Sequence, residues 1–162
     1  MIIGTKGIPM SKKGYPTVSD KYNVAGGILE GETAVEFGEL VKLGSMPGYY
    51  EAITGAVTVD KIAGFILATN VKLADWNSGK VETLPGEAFN LLLNGFIAVE
   101  LDAEATIAKI AANEKVCVKL TGAALTTIDK KDDSTIVELP NAVFTGIYEK
   151  HGEKLFAEIY IK

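Results

Sequence analysis

Turn signals recur every few residues along this chain, and that spacing limits the fold more than any other feature. The sequence holds 17 glycines and 5 prolines, set among runs rich in Val, Ile, Thr, Tyr and Phe. Glycine frees φ, while proline fixes it and removes a backbone donor, so both interrupt regular structure. The residues between them suit the pleated, half-buried surface of a strand. Many short strands are therefore expected in place of a helical bundle.

Individual signals place those strands. In Ser45-Met46-Pro47-Gly48 the proline falls at i+1 and the glycine at i+2 of a type II turn. Pro85-Gly86 makes a second turn. Asn94-Gly95 predicts a type I′ hairpin, with Ala88–Leu93 as the outgoing strand and Phe96–Leu101 as its return. Pro140-Asn141 and His151-Gly152 turn the chain twice more. Around Gly26–Gly38, Glu30-Gly31-Glu32 forms a turn, and Ala34–Phe37 runs on through Gly38, a bulge position, into Glu39–Leu43.

Ile62–Val71 is nearly all apolar and reads as a buried strand. Val116, Val118 and Leu120 share one face of a strand. Leu155, Ala157, Ile159 and Ile161 share another, opposite Phe156, Glu158 and Tyr160. Only Asp102–Glu114 is ambiguous: its alanines, with Ile107 and Ile110 three apart, fit a short helix, while Ala105–Ile110 also fits a strand. The expected fold is all-β, an antiparallel sandwich or barrel with at most one short helix. A chain of 162 residues can close one sizeable core.

Charge is unevenly placed. Lys6, Lys12, Lys13 and Lys21 against Asp20 leave residues 1–24 at +3. The remainder holds twelve lysines against twenty acids, or −8. Pro9 and Pro16 favour extended backbone around them. Residues 1–24 are thus expected as an extended basic arm, and residues 25–162 as a single acidic β domain. The arm would carry partner contacts through Lys6, Lys12, Lys13 and Tyr15.

The chemistry of the side chains excludes several function classes. The chain has no arginine and a net charge of −5, which argues against nucleic acid as a partner. No apolar run reaches the length of a membrane-crossing helix, the longest uncharged stretch being Ala88–Val99. No signal-peptide run opens the chain, so it is expected to be soluble and made in the cytoplasm. One cysteine, Cys117, excludes an internal disulfide and reads as a small buried hydrophobe.

His151 lies in the polar turn Glu149–Lys154 and reads as an exposed loop histidine. One histidine and one cysteine cannot assemble a zinc site. Asp129, Asp132 and Asp133 are oxygen donors within one loop, but Lys130 and Lys131 interrupt them and the spacing of a calcium loop is missing. Phosphate-binding glycine motifs are absent. No catalytic residue, metal ligand or cofactor is expected, and the chain reads as a non-enzyme.

The ordered features resemble the small capsid cement, or head decoration, proteins of tailed bacteriophages. The likeness lies in Ala25-Gly26-Gly27-Ile28, Val35–Gly38, Ile62-Ala63-Gly64-Phe65, Pro85–Ala88 and Asn94–Val99. It continues through Asn113–Val118 and Leu139–Phe144 to the terminal Phe156–Ile159. The resemblance implies a jelly-roll or barrel-like protein that binds the outside of an assembled capsid and bridges major capsid subunits. Such proteins act as dimers or trimers without catalytic residues, on the virion surface, and are made in the host cytoplasm. Two other readings stand beside it. One is a tail or head-fibre component. The other is a carbohydrate-binding β module with Trp76, Tyr49 and Tyr50 as its sugar platform.

Overall fold

A computed structural model describes residues 13–14, 22–68, 81–128 and 134–162. Eleven strands cross these residues. They are β1 (Tyr22–Glu30), β2 (Val35–Glu36), β3 (Leu40–Leu43), β4 (Tyr49–Ala52), β5 (Ile62–Leu67), β6 (Glu82–Thr83), β7 (Ala88–Leu101), β8 (Lys115–Lys119), β9 (Leu125–Thr126), β10 (Ile136–His151) and β11 (Lys154–Ile161). The fold is all-β, and no α-helix occurs among the described residues.

The pairings divide the molecule into two halves that share β7. Strands β1, β4, β3, β5 and the first half of β7 pair in a ring, because β7 bonds β5 on one side and β1 on the other. A ring with an odd number of strands cannot alternate direction all the way round. One pair must run parallel, and here it is β1–β4, with Ile28 opposite Tyr49. The second half of β7, from Gly95 on, pairs with β11, which continues through β10 and β8 to β9, all antiparallel. The result is a small barrel packed against a curled sheet, with β2 and β6 forming a separate two-stranded ladder.

Each half has its own core. Leu29, Val41, Ile66, Phe89 and Leu91, with Tyr50, come from all the strands of the ring and fill the barrel. Tyr50 and Phe89 meet edge-on, with centroids 5.6 Å apart. Gly27 passes beside them where an added Cβ would stand 2.6 Å from the Tyr50 ring. The larger core lies between the barrel wall and the sheet and holds Phe65, Leu67, Ile97, Val99, Val116, Phe144 and Ile159. β5 is the shared wall: Phe65 and Leu67 face the sheet, while Ile66 faces the lumen. This explains why the β5 run reads as continuously apolar, since both of its faces are buried.

The type II turn at Met46–Tyr49 forms as its sequence dictates, with Gly48 at φ 86° and Tyr49 N–H donating to Met46 O at 3.0 Å. Leu84–Glu87 repeats it, with Gly86 at φ 83° and the same bond at 3.0 Å. The β10–β11 hairpin turns at Gly152, as expected.

Three expectations are corrected. Asn94-Gly95 makes no hairpin, for β7 runs straight through it. Asn23 pairs with Asn94 but Val24 pairs with Leu92, so Leu93 is an extra residue bulged out where the strand changes neighbours. Pro140-Asn141 likewise sits inside β10. Asn141 takes φ 61°, and the pairing with β8 jumps between Glu138 and Val143, so the strand bends without ending. Asp102–Glu114 is neither α-helix nor strand. It is a loop with one 3-10 turn, Ile107–Lys109, tied by Asp102 N–H to Leu125 O and by Asn113 N–H to Phe144 O. Ile110 is buried there and Ile107 exposed, so the two do not share a face.

Both faces of β8 are covered, Cys117 being as buried as its neighbours Val116 and Val118. In β11, Leu155, Ala157 and Ile159 enter the main core as the alternation predicts, but Phe156 and Glu158 on the other face are buried too. The Glu158 Oε1 accepts from Thr145 Oγ1 at 2.8 Å. Tyr160 stacks on Phe96 with centroids 4.5 Å apart.

Candidate functional site

Residues Lys13 and Gly14 are where the expected arm meets the body. Gly14 N–H donates to Ala98 O on the sheet part of β7 at 2.8 Å, and Gly14 O accepts from Ala68 N–H just past β5 at 2.7 Å. The dipeptide therefore joins the two halves. It fits because Gly14 and Gly38 lie backbone to backbone, at φ 81° and 82°. A Cβ on either would stand 2.5 Å from the other's nitrogen. Gly38 ends the Ala34–Phe37 segment and lets the chain pass here, in place of the bulged continuous strand that the sequence predicts.

Lys13 lies among acids from both halves. Its Nζ is 2.5 Å from Glu36, 3.2 Å from Glu39 and 3.9 Å from Glu100, and Glu100 also holds Lys154 at 3.0 Å. Burial works to lower the Lys13 pKa, but the bonds and charges of Glu36 and Glu39 outweigh it and hold the ammonium above its ordinary value. A second cluster lies nearby, where Lys119 pairs with Asp102 at 2.6 Å and with Glu104. The hydrogen bonds that Lys119 donates to Asp102 and then to Glu104 raise its pKa as well. Between the clusters a cleft of about 350 Å³ is lined by Lys13, Glu39, Glu100 and Asp102, with Thr33 and Thr54. Each of its lining acids is paired with a lysine, Glu39 with Lys13, Glu100 with Lys154 and Asp102 with Lys119, which makes it a joint between the halves.

Of the residues expected to meet a partner, Lys6, Lys12 and Tyr15 lie outside the described residues. Lys13 is engaged within its own chain. The arm boundary expected at residue 24 falls inside β1, which begins at Tyr22. Asp129, Asp132, Asp133 and Trp76 also lie outside the described residues. Tyr50 is turned into the barrel core. His151 is exposed on the β10–β11 hairpin, 2.6 Å from Glu149 Oε1. The sequence pattern did not reveal that Gly14 and Gly38 meet, because two glycines so far apart carry no periodic signal. The excess of acid in the body was the only hint of partners for Lys13.

The Lys13-Gly14 dipeptide that staples the halves together, the barrel and the sheet all fall within one family match, to the structural cement protein family of phages (E217 gp24/Pam3 gp6) over residues 12–160. The chain belongs to that family. The cement family is one of structural phage proteins, not of enzymes. None of the curated proteins matches this cement-family chain. Among solved structures it is similar to a chain of the capsid of Myoviridae phage XM1, at 15% identity and a TM-score of 0.63. That likeness covers 93% of this chain and 89% of the other, and it shows a shared fold.

Proposed function

We propose that this chain binds the outer surface of an assembled phage capsid and stabilises it by bridging major capsid subunits. The observation that carries this reading is the cement-family match, which spans the staple and both halves of the fold. The all-β body with two closed cores suits a static binding role, because its shape is fixed before it meets a partner. Many symmetry-related copies, each adding a modest contact, would raise the stability of the shell collectively.

The chain acts as a homo-oligomer, a dimer or trimer, without catalysis, nucleic acid or membrane as partner. Lys6, Lys12 and Tyr15 lie against a neighbouring subunit, while Lys13 serves inside its own chain. Co-sedimentation with capsid shells assembled from the cognate major capsid protein tests the reading. Saturable pelleting with the shells is expected. A chain that stays in the supernatant at every concentration, with its fold intact, sinks the reading.

A further inference from the structure

We propose that the first half of β1 is a contact between copies: Tyr22–Gly26 pairs antiparallel with the same segment of a second copy, about a two-fold axis at Val24. This rests on the homo-oligomer reading above and supplies its surface and symmetry. The ring closes only over the second half of β1, because β4 joins it at Ile28 and pairs no further back. Tyr22–Gly27 overhangs the ring. It is held on one side by β7, with no strand on its other side among the described residues. Tyr22, Asn23, Val24 and Gly26 are all exposed.

The backbone of the overhang is aimed outward. Ile28 N–H donates towards β4, to Gly48 O at 3.0 Å, while Leu29 N–H donates the other way, to Glu87 O at 3.0 Å. Peptide groups alternate sides along a strand, so Gly26 and Val24, two and four residues before Ile28, present N–H and C=O on the open side. Such an edge is a template for a further strand, and proteins that keep one unpaired place lysine or proline on it. The run Tyr22–Leu29 holds neither, nor any charged residue.

The segment also fits itself. With Val24 opposite its counterpart in the second copy, the two residues exchange both backbone bonds. Tyr22 then falls opposite Gly26 of the second copy, and Gly26 opposite Tyr22. Nothing stands within 4 Å of the position that a Gly26 Cβ would take, so the tyrosine ring has room to lie over it. Tyr22 and Val24 share one face, each 38% exposed, and each gains a cross-strand neighbour. Beside them on β7 the bulged Leu93, 50% exposed, extends the apolar surface.

Charge selects the same occupant. Residues 25–162 carry −8, so copies that met through most of their surface would set acids against acids. The uncharged overhang lets them meet without that repulsion. The far edge of the sheet, β9, offers only two residues.

The experiment is light scattering on the purified chain over a range of concentrations, with wild type, Val24→Lys and Val24→Cys. Wild type should be a dimer. Val24→Lys sets like charges directly opposite each other and should weaken the dimer roughly tenfold or more, with circular dichroism unchanged. Val24→Cys should cross-link two copies under mild oxidation, because the pairing puts the two Cα atoms roughly 5.5 Å apart, within disulfide reach. Cys117 is buried, and Ile107→Cys, exposed away from the edge, should not cross-link. A wild-type dimer that Val24→Lys leaves intact and Val24→Cys does not cross-link overturns the edge contact and leaves the homo-oligomer reading in place. Where the two variants disagree, cross-linking decides. A wild-type monomer at every concentration overturns both, and a trimer overturns the two-fold pairing. If Val24→Lys stays a dimer but no longer pellets with capsid shells, the edge belongs to the capsid and the proposal falls.

Discussion

The barrel and the sheet bury similar apolar side chains but reach stability by different routes. The barrel is a closed ring of mostly short strands, so apart from the β1 overhang its backbone groups are paired without an exposed edge. Its β3–β4 connection is a tight turn closed by Tyr49 N–H on Met46 O. The sheet is built around long strands, β7 with 14 residues and β10 with 16, which bend at bulges, and its β8 and β11 bury both faces. It ends in a two-residue strand, β9, which leaves little edge to pair with another chain. The comparison teaches that closure shapes one half and burial shapes the other, and that β5, β7 and Lys13-Gly14 make them a single body.

The sharpest way to break this comparison is at the shared wall. Phe65 is fully buried between the halves. Phe65→Ala should cost about 3–5 kcal/mol, because the removed ring leaves a cavity that rigid strands cannot fill. Calorimetry should still show one transition at a lower temperature. Two separate transitions would mean that the halves fold independently.

The staple comes next. Gly38→Ala should cost about 3 kcal/mol, since it combines a strained positive φ with a collision against Gly14. Gly48→Ala, in an equally left-handed conformation but with open space around it, should cost only about 1 kcal/mol. Chemical denaturation of the two variants separates crowding from strain. Equal losses would mean that the contact of the two glycines is not tight.

Lys13→Met should show the smallest effect, about 1 kcal/mol at neutral pH, as the acids around Lys13 lose their cation. The sign of its pH dependence follows from the raised pKa. The stabilisation is complete below the ordinary lysine value of 10.5 and fades as pH rises through the higher folded value. The gap between wild type and Lys13→Met should therefore close in strongly alkaline buffer. A gap that persists there would assign the effect to packing of the lysine stem.

Much of the fold was legible wherever chemistry is local. Pro47-Gly48 and Pro85-Gly86 dictate their turns because proline and glycine each satisfy one fixed dihedral. Leu155, Ala157 and Ile159 show their face through simple alternation. Asn94-Gly95 misled because the same positive-φ tolerance serves a bulge, and only the neighbours of β7 decide between a turn and a bulge. Pro140-Asn141 failed in the same way inside β10.

Other features depended on tertiary context. The alanines of 102–114 favour helix locally, but the anchoring of both ends to β9 and β10 overrode them. The parallel β1–β4 pair is a property of ring closure, which no single segment records. The family resemblance was carried by turn and strand signatures spread along the chain, while the staple that unites the halves joins residues too far apart to be read together.

The most direct test of the cement account is the rupture temperature of capsid shells, measured by dye access to the packaged DNA during heating. Shells stripped of this chain should rupture at a lower temperature, and adding the purified chain should restore the original value in proportion to its occupancy. Identical rupture temperatures with full and zero occupancy would contradict the account.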